Sequence, residues 1–91
     1  MKTVRLLIAG KVQGVGYRAW ASRIGVSLGL RGWLRNRSDG TVELLATGEE
    51  DAVAAMTEAC RRGPSDARVD SIDILEAKDP GNAGFTVRET A

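Results

Sequence analysis

Apolar positions along this chain alternate, then recur at helical spacing, then alternate again. From Thr3 to Lys11, Val4, Leu6 and Ile8 fall on one face and Arg5, Leu7 and Ala9 on the other, the pattern of a well-buried strand. From Arg18 to about Leu28, Trp20, Ile24 and Leu28 recur at helical spacing with Ala21 beside them; Gly25 weakens this helix locally and Gly29 is a natural stop. Two short runs, Gly32 to Arg37 and Thr41 to Ala46, flank Ser38-Asp39-Gly40, which reads as a hairpin turn between antiparallel strands. Glu49 to Arg62 is the clearest helix. Val53, Met56, Thr57 and Cys60 form its stripe, acidic residues crowd its start, Arg61 and Arg62 precede Gly63-Pro64, and Thr47 with Glu50 offers a capping box. Val69 to Ala77 carries Ile72 and Ile74 in alternation, Asp79-Pro80-Gly81-Asn82 breaks the chain, and Phe85 to Arg88 gives a last short strand.

The order strand, helix, strand, strand, helix, strand, with a short strand to close, predicts an α+β fold. It is the ferredoxin-like split βαβ sandwich: an antiparallel sheet with two helices on one face. Right-handed crossovers place the first strand between its partners, so the loop that follows it and the end of the second strand meet at one edge. No repeat, linker or low-complexity block interrupts the pattern, and residues 1–91 are expected to form a single domain.

Composition narrows the chemistry. Of the 91 residues 43% are hydrophobic and 27% charged, enough apolar surface for one core. The net charge of +1 provides no broad basic field, so neither nucleic acid nor an anionic membrane is expected as a partner. Lys2 and Arg5 precede Leu6 to Ala9, but the long apolar segment of a signal peptide is lacking. A lone Cys60 excludes an intrachain disulfide and offers no metal cluster, which makes a cytoplasmic setting the default. The complete lack of histidine removes the commonest general base and the usual zinc ligand together. Any catalysis falls to carboxylates, amides, arginines and backbone.

Gly10-Lys11-Val12-Gln13-Gly14-Val15-Gly16-Tyr17-Arg18 joins the first strand to the first helix. Glycines let successive N–H groups turn into one concavity, the helix N-terminus adds partial positive charge, and Arg18 supplies a full one. The segment reads as an anion cradle sized for phosphate. Asn36, at the end of the second strand, is expected at the same edge.

The string GKVQGVGYR, followed by LGLRGWLRNRSDGTVE and then by GEE and RRGP, resembles the acylphosphatase family from Val4 to Arg88. The resemblance implies a metal-free enzyme, without cofactor, that hydrolyses small acyl phosphates to a carboxylate and inorganic phosphate. Arg18 matches the family's phosphate-binding arginine and Asn36 the asparagine that positions the attacking water. The amides of Gln13, Gly14, Val15, Gly16, Tyr17 and Arg18 match its phosphate cradle. Tyr17 stands where phenylalanine is more usual, which adds a hydroxyl in need of a partner. An asparagine can align water but cannot deprotonate it, so no strong protein base and no covalent intermediate are implied; the good carboxylate leaving group makes that sufficient.

Other residues read as structural. Lys11, Arg35 and Arg37 are expected as surface charges, Trp20 and Trp33 as packing, and Cys60 as buried filler. Gly14 to Ala19 satisfies a dinucleotide fingerprint in form, but the chain is too short for a doubly wound sheet and a hairpin follows where a second βα unit is required. No Gly-Lys-Ser/Thr follows to make a Walker loop, and the 4% aromatic content leaves no RNA-stacking platform. Two alternatives stay open: a non-catalytic anion-binding or regulatory domain of the same fold, and a carbamoyl-phosphate-handling module, against which a chain running from Met1 to Ala91 argues. A monomer is expected.

Overall fold

All seven elements expected from the periodicity form, in the expected order, in a computed structural model that describes residues 1–91. They are β1 (Lys2–Lys11), α1 (Tyr17–Ser27), β2 (Arg31–Asn36), β3 (Val42–Gly48), α2 (Glu50–Arg62), β4 (Arg68–Glu76) and β5 (Phe85–Val87). The sheet order is β4-β1-β3-β2-β5, so β1 lies between β3 and β4 as the crossover rule requires. Val4, Leu6 and Ile8 of β1, Leu34 of β2, and Val42, Leu44 and Ala46 of β3 all face the helices. There they meet Tyr17, Ala21, Val53, Met56 and Cys60 in one core. No helix is long and apolar enough to cross a membrane.

The fifth strand corrects the fully antiparallel expectation, because β5 pairs with β2 in parallel. The cause lies in the 77–84 connection. It passes along the end of the sheet where β1 and β2 begin, tied there by Arg31 to both carboxylate oxygens of Asp79 and by Asn82 Nδ2 donating to the Gly32 carbonyl at 2.7 Å. The chain therefore enters β5 from the end at which β2 also starts. The pairing is carried onward by Arg88 N–H to the Leu34 carbonyl at 2.9 Å and Ala91 N–H to the Asn36 carbonyl at 3.0 Å.

Two helix details also differ from the sequence reading. The inward face of α1 carries Tyr17, Ala21 and Gly25, while Trp20, Ile24 and Leu28 are only half-buried along its flank. Gly25 is there because Phe85 packs flat against it: a β-carbon would stand 2.8 to 3.0 Å from three ring atoms. Far from loosening the helix, the glycine seats the C-terminal strand. Gly25→Ala would gain about 1 kcal/mol of helix propensity but overpack a buried ring at a cost of about 1–3 kcal/mol. A net loss of about 1 kcal/mol by these two magnitudes is expected in urea unfolding. The capping box of α2 does not form. Thr47 is still inside β3, buried, with its hydroxyl 2.7 Å from that of Thr3, and Glu49 is the N-cap without a side-chain bond. Glu50 and Asp51 at the start of α2 and Arg61 and Arg62 at its end do complement the helix dipole.

The sheet face away from the helices holds a feature that periodicity alone did not reveal. Glu43 is 3% exposed, and its two carboxylate oxygens accept from Arg5 Nε at 2.6 Å and Arg35 Nε at 2.7 Å. The Arg35 and Arg88 guanidiniums lie over the Trp33 ring, 5.1 and 4.7 Å from its centroid, so Trp33 packs on this face and not in the core. Burial pushes the Glu43 carboxyl up, but the hydrogen bonds from Arg5 and Arg35 outweigh it and hold the carboxyl below the ordinary glutamate value. With the folded value below the unfolded one of about 4.3, the ion pairs contribute fully above that pH and are lost as pH falls through the folded value. Glu43→Gln is expected to destabilise the protein by about 2 kcal/mol at pH 7, the range of hydrogen bonds to a charged group and below that of a broken, fully buried pair, because both arginines are partly exposed. Thermal melts of the two proteins should converge only once the pH has fallen below the folded value, itself under the ordinary glutamate value of about 4.3.

Candidate active site

β1 leaves the sheet at Lys11, and buried Val12 holds the start of the following loop to the core. Gly14 and Gly16 then adopt left-handed backbone, φ +74° and +77°, with no atom within 4 Å of where a β-carbon would stand. Conformation, not crowding, selects glycine at both. The turn they create leaves the amides of Gln13, Gly14, Val15 and Gly16 with no backbone carbonyl to donate to. Gly16 is the N-cap of α1, which has no acidic residue in its first turn, so the free N–H groups and the helix dipole attract an anion unopposed.

Arg18 sits in that first turn, half-buried, and takes no part in any of the six ion pairs. Its guanidinium is a charge without a protein partner beside donors without acceptors. Across from it, Asn36 ends β2, and its Oδ1 is buried with no hydrogen-bond partner. Rotation of the amide by half a turn exchanges Oδ1 with Nδ2, so the group can present either an acceptor or a donor. Gly14, Gly16, Tyr17, Arg18 and Asn36 line one cavity of about 280 Å³.

Gln13 and Val15 do not line that cavity. The Val15 side chain packs against the core, and the Gln13 side chain turns to the β2–β3 hairpin, where Nε2 donates to the carbonyls of Arg37 at 2.8 Å and Thr41 at 2.9 Å. Only their backbone amides are available to the cradle. Tyr17 contributes as an anchor: its ring is buried and its hydroxyl donates to the Cys60 carbonyl at 2.8 Å, which fastens the start of α1 to the end of α2. Burial drives the Tyr17 hydroxyl far above its ordinary range and the Cys60 thiol up to about 11, so neither ionises near neutrality. Cys60 is filler, as its place on the stripe suggested. Of the neighbouring cations, Lys11 is exposed, Arg35 is held by Glu43, and Arg37 lies 3.9 Å from Asp39.

Three lining residues were not anticipated: Val12, Ala19 and Val87. Val12 and Ala19 flank the stretch Gln13 to Arg18 and could have been found by extending it one residue each way. Val87 arrives from the far end of the chain through the parallel β2–β5 pairing, for which the sequence carries no local signal. A larger groove of about 500 Å³ lies between α2 and the β1–β4 edge, but Lys2, Glu50, Asp51, Glu58 and Arg61 line it with both signs of charge. It offers no convergent set of free donors.

Residues 4–87 match the family model described as Acylphosphatase. The chain belongs to the acylphosphatase family. It is 52% identical over 86 residues to an acylphosphatase of Rhodospirillum rubrum, with 94% of each chain covered. The acylphosphatase of Azorhizobium caulinodans is likewise 52% identical, over 89 residues, covering 97% of this chain and 96% of the relative. Among solved structures, the acylphosphatase of Bacillus subtilis superposes with a TM-score of 0.92 at 35% identity, covering 97% of this chain and 99% of that one. These three acylphosphatases match this protein along nearly their whole length, and the solved one shares its fold.

Proposed function

We propose that this acylphosphatase hydrolyses the carboxyl–phosphate bond of small acyl phosphates, with the phosphoryl group held by the amides of residues 13–18 and by Arg18, and with water oriented by Asn36. The observation that carries this reading is the meeting of unspent polar groups at one cavity: glycine-loop amides without backbone acceptors, of which Gly14 and Gly16 line it, a guanidinium without an ion pair, and a buried amide oxygen without a donor. A buried polar group is normally paired, so the unpaired Asn36 oxygen, beside a free guanidinium and loop amides that only solvent can satisfy, points to a polyanionic ligand with a water beside it.

The chemistry asks little more. As water attacks phosphorus, negative charge concentrates on the equatorial oxygens, and fixed N–H donors with a guanidinium stabilise it without reorganising. The new water–phosphorus bond forms as the bond from phosphorus to the acyl oxygen breaks. The carboxylate leaves with that electron pair, and the water's proton passes to the phosphate or to solvent. Asn36 supplies alignment, which turns a bimolecular encounter into an oriented one. No covalent intermediate and no metal enter this route, and every group it uses comes from one chain, so a monomer suffices for it.

Phosphate release from a simple acyl phosphate in the presence of a chelator tests the reading directly. Run in ¹⁸O-labelled water under single-turnover conditions, the reaction should place the label in the inorganic phosphate. Label in the carboxylate would mean attack at the carbonyl carbon and would overturn the role given to the cradle. Phosphate binding without turnover would replace the hydrolase by an anion-binding domain.

A further inference from the structure

The two halves of the site belong to different parts of the chain, the cradle following β1 and Asn36 ending β2, and these strands are not neighbours in the sheet. β3 lies between them. Something must set the spacing of the cradle from Asn36, since in-line attack tolerates little misplacement. Among the hydrogen bonds of residues 12–16, Gly16 accepts one within α1 from Trp20 N–H. The remaining two both come from Gln13 Nε2 to the hairpin carbonyls of Arg37 and Thr41.

The receiving hairpin is built to hold that nitrogen. Arg37 N–H donates to the Thr41 carbonyl at 2.8 Å, and Gly40 N–H donates to the Arg37 carbonyl at 3.1 Å, closing a three-residue turn over Ser38, Asp39 and Gly40. Each carbonyl therefore uses one lone pair in the turn and offers the other to Gln13. The turn is further braced by Asp39 Oδ1, which accepts from Thr41 N–H at 3.0 Å. Gln13 thus bridges both arms of the hairpin at the residue that directly follows Asn36. Both of its amide protons are spent there, so the side chain has none left to donate to a phosphate.

We infer that the Gln13 side chain is a positioning residue: a strut that fixes the distance between the phosphate cradle and the water-orienting Asn36. The inference rests on the roles proposed above for the cradle and Asn36. Without the strut, the cradle still binds phosphate through its amides and Arg18, but the attacking water loses its register. The effect should fall on turnover and spare phosphate binding.

Gln13→Met keeps length and volume and removes both donors, while Gln13→Glu keeps length and polarity and presents only acceptors to the two carbonyls at neutral pH. In both, kcat for a simple acyl phosphate is expected to fall about 10- to 100-fold; in the uncharged Gln13→Met, inhibition by inorganic phosphate stays within about threefold of wild type, a change too small to signify a lost phosphate contact. In an Asn36→Ala background, adding Gln13→Met should cost little more, because the two act on the same step. Wild-type kcat in folded Gln13→Met, a parallel loss of phosphate affinity, or full additivity with Asn36→Ala would each overturn the strut. Failure of the wild type to release phosphate would instead overturn the hydrolase reading, so the two failures are distinguishable.

Discussion

Replacement of Arg18 by alanine is expected to lower kcat/KM for an acyl phosphate by about a thousandfold or more, the range seen when a guanidinium or a single oxyanion donor is removed from a phosphoryl- or acyl-transfer site. The expectation follows from what surrounds the residue. Arg18 has no carboxylate partner to leave behind and forms no ion pair, so its removal should disturb the fold little. The lost activity would then report on the anion it holds. Arg18→Lys should recover only part, since an ammonium is a point charge and cannot present the planar fork that matches two phosphate oxygens. Inhibition by inorganic phosphate should weaken in both variants, because ground-state and transition-state phosphoryl groups share the contact. Near-normal turnover in folded Arg18→Ala would remove the residue from the site.

Asn36 is expected to behave differently. Asn36→Ala should lower kcat by about 10²- to 10³-fold, as loss of nucleophile alignment or of one site hydrogen bond does elsewhere, while phosphate inhibition stays close to wild type. Removing this side chain also deletes a buried, unpartnered Oδ1, so the fold should lose little and stability should even hold. Asn36→Asp separates alignment from charge. It keeps an acceptor for water but sets a carboxylate beside an incoming polyanion, so KM should rise as well. A kinetic comparison of the three proteins at pH 7 decides the matter. Equal losses in kcat and phosphate affinity in Asn36→Ala would assign the residue to phosphate binding.

How much of this could be read from the residues differs from place to place. The stretch from Gly10 to Arg18 declared both its conformation and its charge, because glycines at alternate positions ahead of a helix leave few other uses for the backbone. Asn36 was legible by its place at the end of a strand and by the resemblance of the surrounding string. The Ser38-Asp39-Gly40 turn forms as expected, since its chemistry is local. By contrast, Thr47 looked like a helix cap and is a strand residue, because β3 runs one residue past it before α2 can begin. Gly25 looked like a weak point, and its reason to be glycine is a ring sixty residues along in the chain, by the numbering, whose arrival no periodicity announces.

The same division explains the paired charges. Arg5, Arg35 and Glu43 lie on three strands, and only the register that sets Arg35 opposite Glu43 and Leu7 beside it gathers two partly exposed arginines around one buried carboxylate. Gln13 is similar. Its sequence position suggested a cradle amide, and its side chain turned out to reach the hairpin.

Residues close in the chain set the element order, the shared face of Val4, Leu6 and Ile8 and the glycine turn between β1 and α1, and composition left any chemistry to groups other than histidine, because these depend on neighbours within a few residues or on composition. The tertiary structure alone decided that β5 enters parallel to β2, that Val87 reaches the cavity, that Gln13 bridges cradle and hairpin, and that Glu43 is neutralised by two arginines. Those are contacts between residues far apart in the chain. Their energy depends on which strands the closed loops bring together, and that is settled only when the whole sheet has formed.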